Sequence, residues 1–143
     1  MVAYYGDVSS AGPLTAIVIT ANVISSTNIT LSRVVGPKSY TGTSLTGVLR
    51  ATTLDNGDVV VAYSDNLSNN GVTCVQVTIN MLTKSLLFGG VLAITTGETA
   101  KYVFPTGTMN IQLVTIGNGF QFMVMFSDLE LDGALVAAVG EVT

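Results

Sequence analysis

The chain has 143 residues, 48% of them hydrophobic and only 10% charged, with five Lys or Arg against nine Asp or Glu. A formal charge of −4 without any basic cluster excludes the phosphate-neutralising stripe of a nucleic-acid-binding protein. The absence of histidine excludes hydrolytic triads built on it and histidine-ligated metals, and the single cysteine excludes an internal disulfide or a cysteine-based metal cluster.

Length and hydropathy point to one domain able to bury roughly 70% of the surface its unfolded form exposes. Soluble domains carry about 25% charged residues. A surface with so few ions is expected to be covered in part by a partner. Thr, Ser, Asn, Asp or Gly interrupts every apolar run before the roughly 18 to 20 residues that a membrane helix needs, so no membrane association is expected. The opening Met1-Val2-Ala3-Tyr4-Tyr5 has no basic segment followed by an apolar one, so synthesis in a cytoplasm without a secretory signal is expected.

Period-two alternation of Val, Ile and Thr, broken by Gly, Asn, Asp and Ser, predicts strands throughout. In chain order they are Leu14 to Ile24, Ile29 to Val35, Val48 to Leu54, Asp58 to Ser64, Val72 to Ile79, Leu86 to Thr95, Ile111 to Ile116, Phe120 to Ser127 and Ala134 to Val142. Between the third and fourth, Asn56-Gly57 is the signature of a type I′ hairpin turn, whose two central residues both have positive φ; Asn118-Gly119 repeats it. In the fifth, Val75, Val77 and Ile79 alternate with Cys74, Gln76 and Thr78, the pattern of a half-buried strand in which Cys74 packs rather than reacts. The stretch Phe122 to Phe126 is apolar at every position, which a strand covered on both faces, or by another subunit, would explain.

Laid against itself, the chain repeats. Leu54-Asp55-Asn56-Gly57 recurs as Ile116-Gly117-Asn118-Gly119, and the strands that follow end in Tyr63-Ser64-Asp65 and Phe126-Ser127-Asp128. A polar loop then closes on Gly71 in one copy and Gly133 in the other. Ala3 to Asp7 and the strand from Leu14 echo the middle of the unit, so the chain is read as beginning and ending inside a repeat. The expected organisation is a single all-β domain of antiparallel sheets built on an internal repeat of about 62 residues, with a partial copy over 2–47, a whole one over 48–110 and a partial one over 111–143. A β-sandwich, slightly preferred, or an incomplete β-propeller-like arrangement would accommodate it, since two and a fraction copies fall short of the about 4 to 8 blades of a closed propeller.

The unit Leu-x-Asn-Gly, Val-Val-Val-Ala-Tyr-Ser-Asp, a Ser/Asn loop to Gly, then Val-x-Val-x-Val resembles a propeller-blade-like tandem repeat of bacteriophage tail-fibre and other virion-associated proteins. Leu54 to Ile79 and Ile116 to Val142 carry the resemblance, with a weaker echo in Val2 to Val23. It implies a non-enzymatic structural component of a virion, such as a capsid decoration, tail-accessory or fibre-associated protein. Its partners would be other virion proteins and copies of itself. Two alternatives share the composition: a lectin-like module recognising a host-surface glycan, and a bacterial self-assembling surface protein.

Individual residues give little chemistry. Asp7, Asp58, Asp65, Asp128, Glu130 and Asp132 lie mostly beside turns, and nothing in the sequence pairs two of them in an apolar pocket, so neither a catalytic residue nor a cofactor is expected. Asp65 and Asp128 fit Asx-turns better than a repeated calcium site, and the alternation of Asp128, Glu130 and Asp132 lacks the glycine and terminal glutamate of an EF-hand. No Trp is present to stack on a sugar; Tyr4, Tyr5, Tyr40 and Tyr102 are the candidate contacts, and Lys38 and Lys101 the loop anchors beside two of them. Asn28-Ile29-Thr30 and Asn66-Leu67-Ser68 match the glycosylation tripeptide but lack the secretory context it requires. Structural roles fall to the turn residues Asn56, Gly57, Asp65, Gly71, Asn118, Gly119, Asp128 and Gly133. The assembly contact is expected at Phe120, Phe122, Val124, Phe126, Leu135 and Val139, in strands that carry neither charge nor proline to guard an edge.

Overall fold

The computed structural model describes residues 2–5, 13–41, 45–65, 71–93, 111–117, 119–128 and 134–142. They form ten strands: β1 (Val2–Tyr5), β2 (Leu14–Ser25), β3 (Asn28–Tyr40), β4 (Leu45–Thr53), β5 (Val59–Asp65), β6 (Gly71–Asn80), β7 (Ser85–Ala93), β8 (Ile111–Ile116), β9 (Gln121–Asp128) and β10 (Ala134–Glu141). All nine predicted strands are present, and β1 is added at the start. The strands make three antiparallel sheets of consecutive neighbours: β1-β2-β3, β4-β5-β6-β7 and β8-β9-β10.

The central sheet, β4 to β7, packs on both of its faces. Val59, Val61, Tyr63, Val75 and Val77 join Leu14, Ala16 and Val18 of the first sheet in one core. Val60, Ala62, Val72 and Cys74 join Ile111, Phe122, Val124 and Phe126 of the third sheet in another. This is why Val59-Val60-Val61-Ala62-Tyr63-Ser64 is buried at every position. A strand closed in on both sides has no use for the polar half of an alternating pattern. Each Val fully withdrawn from water contributes about 1.5–3 kcal/mol.

Two sequence expectations hold only in part. Strand β6 is half-buried in its second half, where Gln76 and Thr78 stay partly exposed beside buried Val77, but Val72, Thr73, Cys74 and Val75 are all buried, because alternate residues enter different cores. Of the two readings of Phe122 to Phe126, coverage on both faces within the chain does not hold: the chain itself covers one face. Phe122, Val124 and Phe126 enter the core with the central sheet, while Met123 and Met125 are only half-buried.

Polar groups tie the sheets together at their margins. Thr52 and Thr115 meet through their hydroxyls at 2.8 Å, and Thr115 Oγ1 donates to Thr53 O at 2.8 Å. With one proton on each hydroxyl, Thr52 is then the donor of the pair. Between the first and central sheets, Lys38 Nζ donates to Leu86 O at 2.8 Å, and the Tyr40 and Phe88 rings lie 5.4 Å apart.

The β4–β5 turn departs from the type I′ form. Leu54 N–H donates to Asp58 O at 2.8 Å, Gly57 N–H donates to Leu54 O at 2.9 Å, and Gly57 has φ +86°. Asn56 does not have positive φ. The loop is therefore a type I turn followed by a glycine bulge, the three-residue hairpin solution. Asn56 earns its place through its side chain instead, because Oδ1 accepts from Asp58 N–H at 2.9 Å. Only Gly57 needs the left-handed backbone. Replacing Gly57 with Val should destabilise the protein by about 1–3 kcal/mol, although nothing crowds the position, while Gly57→Asn should lose much less. Urea unfolding of the two variants checks this ordering.

Burial pushes the Cys74 thiol from its usual 9.0 up to about 12. The fold favours the neutral thiol, so its contribution is complete below pH 9, where the unfolded thiol is also protonated, and is lost as pH rises towards 12. Thermal melts should fall more steeply over that window for the native chain than for Cys74→Ala. A thiol reagent at pH 8 should react only after unfolding.

Candidate assembly surface

The third sheet exposes an apolar face. Cross-strand partners share a face, and Val114 and Val139 both oppose Met123, while Ala137 opposes Met125. Val114, Leu135 and Val139 are 41%, 74% and 63% exposed. The same face carries Gln121 and Glu141, whose side chains meet at 3.4 Å at one end.

The first sheet is only half-buried on the side away from the core. Alternation along β2 places Thr15, Ile17 and Ile19 opposite in direction to the buried Leu14, Ala16 and Val18. Beyond Ile19, β2 and β3 continue as a two-stranded arm in which Ala21 to Arg33 are all exposed. On one face of the arm Val23 opposes Ile29 and Ala21 opposes Leu31; on the other Asn22 opposes Thr30 and Thr20 opposes Ser32. An isolated two-stranded ribbon is marginal in water, and this one presents aliphatic side chains on the same side as Ile17 and Ile19.

The six expected contact residues divide between these environments. Phe122, Val124 and Phe126 are buried inside the chain and are unavailable to a partner; this corrects half of that expectation. The reason is that their side of β9 faces the central sheet. Leu135 and Val139 are exposed, and Phe120 is partly exposed beside the β8–β9 turn. The outward face with exposed Val114 and half-buried Met123 and Met125 is not singled out by the sequence, although these residues alternate with the buried ones.

The turn residues bring the central and third sheets into contact. Asp55 N–H donates to Gly119 O at 3.0 Å, and a Cβ built on Gly119 would land within the Asp55 carboxylate. Gly119 also has φ +80°, so both backbone conformation and close approach require glycine there. Asn118 and Gly133 lie outside the described residues. Asp65 pairs with Gly71 and Asp128 with Ala134 along the backbone, and the loops they open, 66–70 and 129–133, lie outside the described residues, as do Glu130, Asp132, Lys101 and Tyr102.

Asp58 is buried at the base of the β4–β5 turn, where Oδ2 accepts from Asn56 Nδ2 at 3.0 Å and Gln76 Nε2 at 2.5 Å. These bonds staple the turn to β6 and occupy the carboxylate. Among the described residues no three acids or cysteines lie close enough to hold a metal ion, and Tyr40 is half-buried against Phe88.

No family model, curated protein or solved structure matches this chain.

The division of the contact residues has a measurable consequence. Phe126→Ala should cost about 3–5 kcal/mol, as expected for emptying a filled core site. Urea unfolding should give the same loss at low and high protein concentration. A loss that vanished on dilution would place Phe126 at a contact between chains.

Proposed function

We propose that this protein is a non-enzymatic structural component of a bacteriophage virion, a capsid-decoration, tail-accessory or fibre-associated protein that acts by assembling with copies of itself and with other virion proteins. The reading depends on treating the three sheets as copies of one blade-like unit, and strand register supports that treatment. Advancing the β1–β2 pair Val2↔Val18 by 58 residues gives Val60↔Gln76, a pair in β5–β6. Advancing Thr53 by 62 and Val59 by 63 converts the β4–β5 pair into Thr115↔Phe122, a pair in β8–β9. Asp65↔Gly71 advanced by 63 becomes Asp128↔Ala134. The one-residue difference falls in the turn between β8 and β9, where loop length is free to vary.

The observation that carries the assembly role is the exposed apolar surface at each end of the stack, the third-sheet face at one and the β2–β3 arm at the other. Exposed Leu135, Val139, Val23 and Leu31, on a chain with so few charged residues, suit a surface that is covered in use. The described acids serve turns and sheet ends, which suits surface complementarity better than chemistry.

Mass spectrometry of purified particles of the phage that encodes the chain tests this reading. The protein should be present at a fixed ratio to the major capsid protein and remain bound through density-gradient purification. Recovery only from the soluble lysate, with none on particles, would overturn it.

A further inference from the structure

Each sheet in the stack presents a particular face to the next. In the central sheet, Val72 and Cys74 point towards the third sheet, while Val75 and Val77 point back towards the first. The β2 residues 58 positions before Val72 and Cys74 are Leu14 and Ala16, and these point from the first sheet onto the central one. The β10 residues 63 positions after Val72 and Cys74 are Leu135 and Ala137, and both are exposed. The face that carries the following sheet twice within the chain is thus exposed the third time.

The other end of the stack is its complement. Thr73, Val75 and Val77 receive the preceding sheet, and the β2 residues 58 positions earlier are Thr15, Ile17 and Ile19, on the outward side of the first sheet. The two outward faces are apolar in their middle, with Ile17 and Ile19 half-buried on the first sheet, and carry opposite charges, Glu141 on the third sheet and Arg33, opposite Ile19, on the first. A surface that fits the third sheet is therefore already present on every copy of the chain.

We propose that two copies of this protein close a ring of six sheets, in which the exposed face of β8–β10 of each copy packs on the outward face of β1–β3 of the other. The inference rests on the blade-like reading above and adds the partner, the surfaces and the number. The contact joins different surfaces, so it must either close a ring or propagate without limit. Propellers close with about 4 to 8 sheets. With three sheets per copy among the described residues, six is the only multiple of three in that range. The projecting β2–β3 arm then lies along the contact, its Val23, Ile29 and Leu31 side turned to the neighbour.

Light scattering of the isolated protein across a dilution series should give twice the 14.8 kDa mass of the chain at high concentration and no larger species. A monomer throughout, or growth without a limit, overturns the ring. Mixing separates this contact from a symmetric one. Leu135→Asp with Val139→Asp disables only the third-sheet face; Ile19→Asp with Leu31→Asp disables only the first-sheet face. Each double variant alone should be monomeric. An equimolar mixture should form a two-chain species, because one intact pair of faces remains between unlike copies. A mixture that stays monomeric, or either variant alone still pairing, overturns the proposal. An unreactive Cys74 thiol verifies that each variant is folded, and Leu31→Asp alone, on the exposed arm, replaces the second pair if Ile19→Asp unfolds. A monomer that is nevertheless found on particles refutes only the ring, and a closed pair absent from particles refutes only the virion role.

Discussion

Strand β5 has no polar face. Its side chains enter two different cores on opposite sides of one sheet, and its backbone pairs with β4 on one edge and β6 on the other. Removing either outer sheet would therefore expose half of it to water, so the first and third sheets are each held by the same central element. The turn chemistry serves this arrangement. Asp58 and Asn56 close the β4–β5 loop, Gln76 ties that loop to β6, and Asp55 reaches the β8–β9 loop through its backbone N–H.

Strand content was readable because alternation and turn residues are local signals. The positions of the nine predicted strands follow from Val, Ile and Thr runs between Gly, Asn and Asp. What covers each face is a tertiary fact. Val72 to Ile79 alternates as a strand with one wet side would, yet the side carrying Cys74 meets the third sheet at Val72 and Cys74 and is partly exposed only from Gln76 onwards. Met123 and Met125 are as apolar as their neighbours and sit on the open side, because periodicity reports that two faces differ and not which of them meets another sheet. Strand β1 was missed as a strand since four residues give too few alternations to count, although its Tyr-rich stretch was placed within the repeat. The turn type was misread for a chemical reason: Asn-Gly serves equally well when Asn acts through its side chain and Gly alone adopts positive φ.

Low charge and exposed aliphatic faces belong to one compromise. A monomer keeps itself apart from its copies by scattering charges over its sheets, and this chain keeps very few. The apolar character that lets the outer faces match the central sheet also leaves Leu135 and Val139 without a covering layer. The same face is apolar in successive sheets, and at Leu135 and Ala137 it lacks the polar outer layer of a capped stack.

The double coverage of β5 also sets a scale of local opening. Amide hydrogens there are hydrogen-bonded within the sheet and shielded above and below, so exchange with solvent requires both outer sheets to leave, which amounts to global unfolding. Amides of the β2–β3 arm are paired only to one another, with every side chain from Ala21 to Arg33 exposed. Their exchange needs only fraying of a ribbon. The same molecule thus contains a segment whose deuterium uptake measures the stability of the whole and another whose uptake measures whether anything lies against it.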